Sequence, residues 1–75
     1  MILETYEDEV SNKKAEITLE QVAPNDYRVK VTLGEKHIRS FYGKSLIEGQ
    51  QLLKQAIKLI NVAKETLENN YYYRR

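Results

Sequence analysis

One stretch decides most of what this chain can fold into. From Ser45 onward, SLIEGQQLLKQAIKLINVAKETLENN repeats apolar residues at intervals of three and four. That is the 3.6-residue period of a helix that buries one face. Ser45-Leu46-Ile47-Glu48 has the form of a capping box. In that motif the Ser45 hydroxyl accepts from the Glu48 amide, and the Glu48 carboxylate reaches back to the Ser45 amide. The helix is expected over 45–70, about a third of the 75 residues. Its stripe is Leu46, Gly49, Leu53, Ala56, Ile60, Ala63 and Leu67, widened by Leu52, Leu59 and Ile57. Ile47 and Val62 fall outside it. Gly49, Ala56 and Ala63 recur every seven positions along its middle and permit close backbone approach. Glycine inside a helix costs about 1 kcal/mol relative to alanine, so Gly49 implies a packing requirement.

The preceding residues alternate with a period of two, the mark of half-buried strands. Ala15, Ile17 and Leu19 share one face, with Lys14, Glu16, Thr18 and Glu20 on the other. Pro24 and Asn25-Asp26 break the run with turn chemistry. Tyr27, Val29, Val31 and Leu33 then point inward, and Arg28, Lys30 and Thr32 outward. Gly34 ends that strand, and a third runs from about His37 to Tyr42. Its alternation is less clean, with Ile38, Ser40 and Tyr42 opposite His37, Arg39 and Phe41, which suggests a bulge or burial on both sides. Short connections imply an antiparallel meander. The expected fold is a single α+β domain: a three-stranded antiparallel meander over 13–43, packed on one long C-terminal helix. Residues 1–12 form an acidic segment with room for a short fourth strand and a turn at Ser11-Asn12. Residues 71–75 are a Tyr/Arg tail.

The segment YRVKVTLGEKHIRSFYGKSLIEGQQLLKQAIKLI resembles the strand–strand–helix half of a double-stranded-RNA-binding domain, including a glycine before a capped C-terminal helix. The resemblance covers under half of the chain. That family places a basic KKxAK cluster at the start of this helix, where this chain reads SLIEG and keeps only Lys44. The family's first helix has no counterpart here. The resemblance therefore implies a shared topology.

A sheet with strands of six or seven residues covers about 20–23 Å, whereas 24 helical residues span about 36 Å. The C-terminal half of the stripe should therefore outrun the chain's own strands. A 75-residue chain has a thin core, and self-association is a common remedy. The expected partner is a second copy, docked as a homodimer through Leu52, Leu59, Ile60, Ala63, Leu67 and Tyr71.

Charge is unevenly spread. Residues 1–23 carry net −4 and residues 24–75 carry +5. The acids Glu7, Asp8 and Glu9 read as an acidic flap suited to a basic partner. The bases Arg28, Lys30 and Arg39, with His37 and Phe41, read as the outer sheet face, where cations would track phosphates and the ring would stack on bases. Glu16 and Glu20 should share that face and pair with its bases.

Chemistry is thinly represented. The chain has one histidine, His37, three serines and no cysteine. No metalloprotease, nucleophile-elbow or phosphate-loop pattern occurs, and no spacing suggests a metal site. The expectation is no catalysis and no cofactor. No apolar run reaches the ~18 residues of a membrane span, and MILETYEDEV lacks the features of a secretory signal. The chain is expected to be cytoplasmic. The favoured reading is a small protein-interaction or regulatory module, including one that masks or inhibits a larger protein. The alternative is a single-stranded nucleic-acid or RNA-binding module.

Overall fold

The computed structural model describes the backbone of residues 1–73 and the side chains of residues 1–66. Four strands precede one helix: β1 (Ile2–Val10), β2 (Lys13–Ala23), β3 (Asp26–Leu33), β4 (Lys36–Gly43) and α1 (Leu46–Tyr73). The strands form one antiparallel sheet in the order β1-β2-β3-β4. This is the α+β architecture read from the sequence, with the fourth strand present. The acidic segment at the N-terminus is no flap. It is a nine-residue strand paired along its length with β2, setting Tyr6 beside Ile17 and Glu7 beside Glu16. Among the described residues the helix is α1, which follows the sheet.

Turn chemistry explains the meander. Ser11 and Asn12 both take positive φ, 51° and 67°, as a two-residue hairpin of the kind that matches strand twist requires. Asparagine tolerates this conformation well. Gly34 has φ +63° at the turn between β3 and β4, where glycine carries no Cβ penalty.

The core lies between sheet and helix. Ile17, Leu19 and Val29 are fully buried, with Val31, Leu53 and Ala56 closing the cluster. Each large member contributes about 1.5–3 kcal/mol on burial. Leu3, Tyr6, Tyr27, Phe41, Leu52, Ile57 and Ile60 pack around it, half-buried. Gly49 meets the expected requirement: a Cβ there would lie 2.9 Å from Leu19 Cδ1 and 3.3 Å from Tyr27 Cβ. Ala56 is buried but Ala63 is exposed, so the small-residue seam meets the sheet only over its first two members.

The helix N-terminus is capped as expected at Ser45, whose Oγ accepts from the Glu48 amide at 3.2 Å. The return arm differs. The Glu48 carboxylate accepts from the Lys44 amide at 3.3 Å, one residue before the expected Ser45 amide. The helix runs to Tyr73, past the expected end. Its 28 residues span about 42 Å at 1.5 Å each. It begins over Gly43 and Tyr27 and, by Ala63 and Lys64, reaches Ile38, Arg39 and Asp8, so it runs back along β4. β2 has 11 residues and is longer than expected, which lets the sheet follow more of the helix.

Candidate functional site

The register assigns every strand residue to a face. Glu7, Glu9, Lys14, Glu16, Thr18, Glu20, Arg28, Lys30 and Thr32 share the outer face, away from the helix. On β4 the register shifts between the partners of Val31 and Thr32, which leaves Ile38 as the extra residue of a bulge. The bulge brings His37 onto the outer face with Ser40 and Tyr42, opposite Thr32, Lys30 and Arg28. Arg39 and Phe41 instead pair with Val31 and Val29, on the helix side. This corrects the expected basic face: Arg28, Lys30 and His37 are together, while Arg39 and Phe41 are on the opposite side of the sheet. Arg39 there lies over the Phe41 ring, 5.7 Å from its centroid.

The outer face is electrostatically balanced. The Arg28 Nε donates to Glu20 Oε1 at 2.7 Å, and its terminal nitrogen pairs with the same oxygen. Hydrogen bonding to Glu20 raises the Arg28 pKa. Lys14 Nζ lies 2.7 Å from Glu7 and 3.7 Å from Glu16, and Glu7 raises its pKa. Four carboxylates, Glu7, Glu9, Glu16 and Glu20, thus face three cations, Lys14, Arg28 and Lys30. The shallow depression between them, lined by Thr18, Arg28 and Lys30 among others, is polar and open. His37 Nε2 is 2.8 Å from Ser40 Oγ. This pairing has the spacing of a base and a nucleophile, but both side chains lie on the open sheet face. No group of three or more potential metal ligands occurs among the described residues.

The helix side of β4 is different. Val31, Ile38, Phe41, Ala56, Leu59, Ile60 and Ala63, with Arg39, line a groove of about 380 Å³ between β4 and α1. Ile38 is 53% exposed and Leu59 54%, both lining this groove. Of the expected dimer residues, Leu59, Ile60 and Ala63 line the groove. Leu52 does not belong with them. It packs on the core near Gly43, on the stripe's sheet-facing side. The side chains of Leu67 and Tyr71 lie outside the described residues.

The expected acidic flap is divided by the sheet's own period. Glu7 and Glu9 are on the outer face, while Asp8 faces the helix side and accepts from Lys64 Nζ at 3.2 Å. The Glu9 amide donates to Asp8 Oδ1 at 2.7 Å, and the Tyr6 hydroxyl lies 3.4 Å from Oδ2. The Glu9 amide bond and then Lys64 hold the Asp8 carboxyl below its ordinary range.

Sequence reasoning missed Ile38 and Tyr42. Ile38 joins the groove only because it is the bulged residue. The mixed alternation of HIRSFY announced an irregularity but not its position. No helix of the described residues is long and apolar enough to cross a membrane. No family model, curated protein or solved structure matches the chain.

Proposed function

We propose that this chain is a non-catalytic protein-interaction module that associates with copies of itself through the groove between β4 and α1. The observation that carries this reading is the groove's position. Its apolar lining, Ile38, Phe41, Leu59, Ile60 and Ala63, runs directly beside the edge strand β4. An edge strand presents unpaired backbone donors and acceptors. Backbone pairing and an adjoining apolar pocket are the two components of strand addition.

A standard interface buries about 800 Å² on each partner. Ile38 and Leu59, each more than half exposed, are the apolar surface that a second copy would cover. The nucleic-acid alternative has less support. Glu20 occupies Arg28, Glu7 and Glu16 occupy Lys14, and Phe41 packs on the helix side.

Sedimentation velocity of the protein and of Leu59→Asp tests the reading. The expected result is concentration-dependent mass above the monomer for the parent chain. The variant should be monomeric, with an unchanged circular dichroism spectrum. A monomeric parent at several hundred micromolar, or equal association of both proteins, would refute it. Binding of a labelled single-stranded oligonucleotide at low salt, lost on Arg28→Glu with Lys30→Glu, would put the alternative first.

A further inference from the structure

The two edges of the sheet carry opposite charge. β1, ILETYEDEV, holds Glu4, Glu7, Asp8 and Glu9 and no base. β4, KHIRSFYG, holds Lys36, His37 and Arg39 and no acid. Both are edge strands of the same four-stranded sheet. Among the described residues, Glu4 and Glu9 on one edge and Lys36 and Arg39 on the other are in no ion pair.

We infer that copies of this chain add head to tail, the acidic β1 edge of one pairing with the basic β4 edge of the next. This rests on the self-association reading above and specifies its geometry. In a four-strand meander β4 runs opposite to β1. A second copy in the same orientation therefore brings its β1 alongside β4 antiparallel, and the sheet continues with every helix on one face. Keeping the helix side in common also fixes the parity of the pairing. Arg39 and Lys36 fall among the partner's helix-side residues Glu4, Tyr6 and Asp8, and His37 among the partner's outer-face residues Thr5, Glu7 and Glu9. The helix-side residues of the incoming strand, Leu3 and Tyr6, are half-buried in the monomer and extend the floor of the groove. A two-fold pairing of β4 with β4 would instead bring two basic strands together, and like charges across a strand pair are destabilising. A head-to-tail contact repeats, so it builds a closed ring or an open filament rather than stopping at two.

The test uses two charge-reversed proteins, Lys36→Glu with Arg39→Glu and Glu4→Lys with Glu9→Lys, each checked for native circular dichroism and melting temperature. All four positions are exposed, so the fold should persist. Light scattering after size exclusion is expected to show the parent chain growing beyond a dimer, with its mass falling as salt rises. Each variant alone should be monomeric, because the unpaired charges on both of its edges then share one sign, Glu7 and Asp8 staying in their ion pairs with Lys14 and Lys64. A one-to-one mixture should regain the parent's mass. A parent that stops at a dimer, with the Glu4/Glu9 variant dimerising equally well, overturns the head-to-tail geometry and leaves self-association standing. A parent that is monomeric throughout overturns both. If either variant unfolds, the parent's salt series decides: mass that rises with salt, as for a purely apolar contact, contradicts the inference.

Discussion

At the residue scale, Gly49 and Asp8 each set a measurable contribution to stability. Gly49 sits where the helix touches Leu19 and Tyr27. Alanine there gains helix propensity of up to about 1 kcal/mol. It also places a methyl 2.9 Å from Leu19 Cδ1 and 3.3 Å from Tyr27 Cβ, and full burial of Leu19 means that its shift must disturb the core. Overpacking costs about 1–3 kcal/mol, so Gly49→Ala should lower stability by roughly 1–2 kcal/mol in urea denaturation. A stabilised variant would mean the helix can lift off the sheet freely. Asp8 gives a pH prediction. Its carboxyl is held below the ordinary range by the Glu9 amide and Lys64. The stability it contributes is therefore complete above about pH 4, the unfolded value, and is lost as the pH falls through the lower folded value. Asp8→Asn should flatten the acid limb of a melting-temperature profile and leave the profile near pH 9 parallel to the parent's. An acid limb of unchanged slope would show that the Glu9 amide and Lys64 do not hold the Asp8 carboxylate in solution.

At the scale of elements, the cap and the bulge behave differently. Ser45→Ala removes the acceptor for the Glu48 amide and should cost about 1 kcal/mol, read by the same denaturation. A loss near zero would mean that Glu48 and water cap the helix alone. The helix and its start were legible because a capping box and a 3.6-residue stripe are local signals. β2 and β3 were legible because Ala15, Ile17, Leu19, Val29 and Val31 alternate cleanly. β1 was legible only as room for a short fourth strand, because Glu4, Thr5, Glu7 and Glu9 are exposed on an edge strand with little apolar pattern, and a further acid, Asp8, faces the helix. β4 misled for a different reason. A bulge inverts the parity of every residue beyond it. One extra residue at Ile38 therefore moved Arg39 and Phe41 off the expected face and dissolved the basic surface they were read into.

At the scale of the whole molecule, the sheet has two unlike sides and two unlike edges. Its outer face balances Glu7, Glu16 and Glu20 against Lys14 and Arg28. Its helix face buries a core of few residues and leaves a groove open along β4. The molecule is long and thin, 52 × 21 × 15 Å, a shape that offers more surface than its core can hide. On the proposed reading another copy of the chain lies along β4. Amide hydrogen exchange of β4, followed as protein concentration rises from micromolar to millimolar, tests it most directly. Amides of Lys36–Gly43 should slow with concentration, together with those of β1 if the pairing is head to tail, while the β2 and β3 amides stay unchanged. β4 amides that exchange at one rate across the whole range would contradict it.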